Sequence, residues 1–145
     1  MRSKLFVMVA GVGLLLAAVV PVAAHHAFAA EFDANQPVTL KGAITKVEWT
    51  NPHIWIFVDV KGDDGKAVNW AVEGGAPNAL FRRGFNKNSL AVGTEVVMEG
   101  YHAKDGSNKI NGRNMALPDG RTLFLGSSGT GAPRDGKDPS EIEKK

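Results

Sequence analysis

The 145-residue sequence contains no cysteine. Its absence excludes disulfides, thiol nucleophiles, thiolate metal sites and a lipid-modified cysteine at a processed N terminus. Methionine is scarce as well. Of four, Met1 and Met8 fall in the first apolar stretch, so a soft thioether site has little to draw on. No apolar run reaches the about 20 residues of a membrane-spanning helix; Leu5 to Val20 has 16, and no second run follows. Catalytic signatures are missing too. There is no Gly-x-Ser-x-Gly elbow and no phosphate loop with its Lys-Ser/Thr pair. The carboxylates Glu31, Asp33, Glu48, Asp59, Glu73, Glu95 and Glu99 are scattered, and their spacing pairs no two of them in a cleft. These absences argue against a classical enzyme.

What is present begins with an export pattern. Arg2 and Lys4 precede the apolar run, Pro21 breaks it, and Val22 and Ala24 are the small residues expected before a signal peptidase cut. Residues 1–24 therefore read as a cleavable signal peptide, with the cut after Ala24 and a periplasmic or secreted destination. An uncleaved anchor is the alternative, and the short run weighs against it. Cleavage leaves 121 residues, enough for one domain, and no membrane segment. It also removes Arg2 and Lys4 from seventeen basic residues, leaving fifteen against fifteen acids. A neutral domain lacks the clustered positive surface that nucleic acid requires.

Residues 25–37 form a lead-in, with Phe28 and Phe32 spaced for a turn of helix or an extended arm. Val38 to Trp49 reads as a long strand, in which Gly42 marks a bulge or bend. Ile54 to Lys61 alternates cleanly, with Ile54, Ile56, Val58 and Val60 on one face and Trp55, Phe57 and Asp59 on the other. A turn at Gly62 to Gly65 returns it as Ala67 to Glu73. Ala76 to Arg83 is a short helix, entered at Pro77 and stopped at Gly84. Thr94 to Ala103 and Lys109 to Leu117 make a second hairpin, followed by a short apolar segment at Leu123 to Leu125. The order suits an all-β fold with one short helix, a small five-stranded OB-like barrel over residues 38–125. Residues 126–145, rich in Gly, Ser, Pro and charge, are expected to be a disordered tail.

Three motifs carry a resemblance. They are His25-His26-Ala27-Phe28-Ala29-Ala30-Glu31-Phe32-Asp33, Val47-Glu48-Trp49-Thr50-Asn51-Pro52-His53, and Trp70-Ala71-Val72-Glu73-Gly74-Gly75-Ala76-Pro77-Asn78. Over His25 to about Ser128 the sequence resembles an uncharacterised bacterial secreted family, the domain of unknown function 6152 group. The resemblance implies an exported small β-barrel and transfers no reaction.

The chemistry that remains centres on histidine. A cut after Ala24 makes His25 the N-terminal residue, whose α-amine and imidazole can chelate one metal, with His26 adding nitrogen donors. Such nitrogen sets suit Cu(II), and His53, in a loop before a strand, can complete the site. Against this stands a plain reading, in which exposed histidines near a cleavage site bind nothing and His53 serves only its loop. A second candidate is the Trp55 and Phe57 face, suited to a saccharide, a peptide or an envelope protein, or else covered by Phe28 and Phe32. Gly74-Gly75 reads as a structural strand-to-helix turn. The expectation is thus an exported, non-enzymatic module that binds a metal ion, a small ligand or an envelope partner.

Overall fold

The computed structural model describes residues 28–142. The expected signal peptide, its cleavage site, His25 and His26 lie outside the described residues. A helical turn over residues 28–31 opens the described chain. It is followed by strands β1 (Phe32–Glu48), β2 (Trp55–Lys61) and β3 (Ala67–Glu73), helix α1 (Pro77–Arg82), and strands β4 (Glu95–Ala103), β5 (Lys109–Ala116) and β6 (Thr122–Phe124). A four-residue helix α2 (Pro139–Ile142) lies near the end. Among the described residues, no helix is long and apolar enough to cross a membrane.

The strands form one sheet that closes on itself. β1 pairs with β4 through Phe32 to Ala43, then with β2 through Gly42 to Glu48. β2 pairs with β3, β4 pairs with β5, and a three-residue parallel pairing of Ala71 to Glu73 with Lys109 to Asn111 joins β3 to β5. The ring β1–β2–β3–β5–β4 is the OB-like order that the elements predict. The strand count departs from expectation, because β6 adds a sixth strand against Asn114 to Ala116. Three residues are too few to show an alternation. The tight turn at Pro118-Asp119-Gly120 sets its register instead, with Leu117 N–H donating to Arg121 O at 2.8 Å.

The first strand starts earlier than the hydrophobic pattern indicates. Asp33 to Pro37 carry no apolar alternation, yet Pro37 faces Tyr101 and Phe32 faces Ala103 in the β4 ladder. Gly42 is also not the bulge. The register shift falls between Ile44 and Lys46, while a Cβ on Gly42 would lie 2.1 Å from Asp59 O. Glycine is needed there because β2 passes against β1 at the point where β1 changes partners.

Inside the ring, Ile44, Ile54, Ile56, Val58, Val72, Met98, Ile110 and Met115 form the main core, and α1 adds Leu80. The expected inward face of β2 is thus in place. Pro77 stands at the first helical position and Gly84, at φ 96°, ends the helix. A second, smaller cluster sits outside the ring, where Phe28, Phe32 and Ala103 are buried with Tyr101 and Ala132 against them. Phe28 stands edge-on to Tyr101 at 5.6 Å between ring centroids, and 5.9 Å from Phe32.

Residues 126–142 offer almost nothing apolar to bury, and polar contacts hold them to the sheet. Arg83 donates to Gly126 O and, at 2.9 Å, to Ser128 Oγ. Ser128 in turn donates to Asp138 at 2.7 Å, and Asp138 is buried.

Candidate functional site

His53 occupies the short loop between β1 and β2, which Thr50 closes by donating its hydroxyl to His53 O at 3.0 Å. The ring is half-buried, and its Nδ1 lies 3.0 Å from Gly74 O. A carbonyl only accepts, so Nδ1 carries a proton, and in the neutral ring the lone pair is on Nε2. Ser127 Oγ lies 3.2 Å from the same Nδ1, and Glu73 Oε1 3.6 Å from it. This arrangement, with one ring nitrogen tied to a backbone carbonyl and the other free, is how proteins orient a histidine that is to act as a ligand. No hydrogen bond among the described residues engages Nε2.

The glycine pair explains how Gly74 reaches His53. Neither glycine has positive φ; both serve close approach. A Cβ on Gly74 would lie 2.8 Å from Ile54, and one on Gly75 would lie 2.9 Å from Gly126 O. Ile54 N–H donates to Gly75 O at 3.1 Å, Ile54 O accepts from Gly74 N–H at 2.9 Å, and Gly75 N–H donates to Leu125 O at 2.8 Å. The turn therefore stitches the loop before β2, the end of β3 and the segment after β6 together, as a structural turn does.

Phe28, Glu31, Phe32, His53, Trp55, Glu73, Asn111 and Thr130 line a cleft of about 190 Å³ on the outside of the ring. The two sequence candidates, histidine and aromatic, meet in this one place through His53 and Trp55. Phe57 is half-buried on the same strand face, with Lys46 Nζ 5.4 Å from its ring centroid, and does not line the cleft. Sequence spacing set Glu31 and Glu73 apart, yet both face this cleft. Glu73 is placed by the β2–β3 register, opposite Trp55; no short-range pattern could have signalled it. Burial pushes the Glu73 carboxyl above its ordinary value; the His53 ring and Lys109 oppose that rise, and Glu31 adds to it. Lys109 Nζ sits 3.4 Å from Glu31 at the rim and 5.6 Å from the Phe32 ring centroid.

Chemically, His53 and Glu73 supply one nitrogen and one carboxylate. Among the described residues no group of three or more His, Asp or Glu is placed to hold a metal ion. His102, the fourth histidine, is elsewhere, with Nε2 2.9 Å from Ser107 O and its ring 5.5 Å from that of Trp70.

No curated protein and no solved structure matches the chain. The family of unknown function DUF6152 matches residues 12–112. That span holds all five strands of the ring except the end of β5, together with His53, Trp55 and Glu73, and the chain belongs to this family.

Proposed function

We propose that this chain is an exported, non-enzymatic binding module that holds Cu(II) between its mature N terminus, His25 and His26, and the cleft residue His53. The observation that carries the reading is the position of Phe28. It lines the same cleft as His53, and the two residues of chain back to His26 and the three back to His25 span at most about 7 and about 11 Å. The donors of His26 and His25 are therefore tethered within reach of an imidazole whose Nε2 is unengaged. His53 and Glu73 alone are too few for a metal, so affinity rests on the N-terminal nitrogens. A mostly nitrogen set with one carboxylate nearby favours Cu(II) among divalent first-row ions.

The cleft volume bears on the alternative of a saccharide or peptide. Pockets for such ligands run to about 300 Å³ or more, and about 190 Å³ suits a metal ion with its waters better. Trp55 then contributes an apolar wall that limits solvent access.

The test compares three proteins by calorimetric Cu(II) titration: the chain starting at His25, the same chain acetylated at its α-amine, and His53→Gln. Acetylation removes the α-amine, and with it the chelate that amine makes with the first imidazole, and should weaken binding about tenfold or more. His53→Gln should weaken it by a similar factor. Equal, weak binding by all three overturns the proposal.

A further inference from the structure

Arg113 stands in β5, and its side chain is 4% exposed. Its guanidinium carbon lies 4.8 Å from the Phe124 ring centroid. Of the guanidinium nitrogens only Nη2 finds acceptors among the described residues, Pro133 O at 3.2 Å and Asp135 Oδ1 at 3.3 Å. Nε is buried with no hydrogen-bond partner among the described residues. Arg–carboxylate bonds normally close to about 2.8 Å and often come as a parallel pair. A single longer contact leaves this buried cation under-satisfied, and buried polar groups without partners call for an explanation.

Arg113 also lines a cavity of about 210 Å³ between β1, β4, β5 and the tail, together with Thr39, Tyr101, Asn114, Asp135 and Lys137. Glu99 lines it as well, but its carboxylate is taken by Asn114 Nδ2 at 3.1 Å and Lys137 Nζ at 3.3 Å. The cavity shares no residue with the His53 cleft.

We propose that this cavity is a binding site for a small oxyanion, a phosphate or a carboxylate, which pairs with Arg113 in place of Asp135. Exchange, not addition, keeps the charges matched: Lys137 stays with Glu99, and the incoming anion replaces the tail carboxylate. Asp135 already displays the chemistry the site accepts; its Oδ1 also accepts from Lys137 N–H at 3.1 Å, and it reaches Arg113 by one long bond that a freely oriented anion can improve on. A compact anion can satisfy two guanidinium nitrogens at once, which a side chain fixed to the tail does not.

The test follows amide NMR shifts of the chain starting at His25, titrated with inorganic phosphate and, separately, with acetate at constant ionic strength. Saturable shifts confined to residues 99–101, 113–114 and 133–137 support the site, and whichever anion saturates identifies the source. Asp135→Asn removes the internal competitor and should tighten binding about tenfold. Arg113→Gln should abolish saturation; if it fails to fold, Arg113→Lys keeps the charge, loses the paired geometry and should still weaken binding. Linear, unsaturable shifts with both anions overturn the proposal, as does an affinity that Asp135→Asn leaves unchanged.

Discussion

Replacing Gly42 with alanine should break the ring where β1 passes from one partner to the other. The added Cβ would sit 2.1 Å from Asp59 O and 2.8 Å from the carbonyl carbon, where real contacts essentially never fall below 3.0 Å. β2 must therefore retreat by at least 0.9 Å, the difference between 3.0 and 2.1. The obstacle is backbone, so no side-chain rotation relieves it. Two ladder hydrogen bonds around the Gly42–Val60 and Ala43–Asp59 pairs are strained, at about 1 kcal/mol each. Ile44 and Val58, both fully buried beside them, lose packing worth about 1 kcal/mol each. Against this, alanine restricts the unfolded chain and returns about 0.5–1 kcal/mol. The net loss is about 3 kcal/mol, a large share of the stability of a small domain. Urea unfolding followed by tryptophan fluorescence measures it. Gly62→Ala is the control: its Cβ would meet the flexible Asp64 side chain at 3.2 Å and Lys66 O at an ordinary 3.5 Å, and stability should stay within about 1 kcal/mol. A Gly42→Ala protein that loses less than about 1 kcal/mol would refute the close approach of β1 and β2 inferred here.

Two further outcomes bear on the cleft. Because burial raises the folded-state pKa of Glu73 above its ordinary 4.5, the native protein holds the extra proton as the pH climbs past that value. Stability should be greatest below pH 4.5 on this account and fall as pH rises toward the folded pKa. Glu73→Gln should flatten that fall in unfolding experiments across a pH series, and an unchanged slope would count against a buried carboxyl. Phe28→Ala removes a buried ring from the outer cluster, a change worth about 3 kcal/mol where the loss is felt in full. Since the cluster is separate from the main core, hydrogen exchange at the Lys104 amide, which donates to Glu31 O at 2.9 Å, should quicken while Ile56 is unaffected. Equal acceleration at both would show a single cooperative unit.

Much of the ring was readable from residues alone because its strands bury one face only. The alternation of Ile54, Ile56 and Val58, the Pro77 entry and Gly84 exit of the helix, and the two hairpin turns all report local rules that tertiary packing leaves intact. The early part of β1 was not readable. Asp33 to Gln36 leave no hydrophobic trace, because they lie outside the core and are exposed or half-buried. The cleft was readable only in pieces. His53 and Trp55 stood out by residue type, but Glu73 reaches them through strand register and a backbone turn, neither of which has a sequence period. The tail is similar: Arg83 and Arg113 hold it by hydrogen bonds and ion pairs, and such contacts carry no compositional signal.

The position of the cleft also sets an order of assembly. One wall comes from Phe28 to Phe32 and another from Thr130, with Ser127 behind His53. These segments are about a hundred residues apart in sequence, and the three-residue β3–β5 pairing must form before the ring beneath them is whole. Contacts that close such long loops come late in folding, since the entropy of closure must be met before they add stability. The hairpins can form while the chain is still incomplete, but the cleft cannot. A ligand that needs both walls is therefore bound only by a finished molecule, and ligand occupancy doubles as a measure of correct folding.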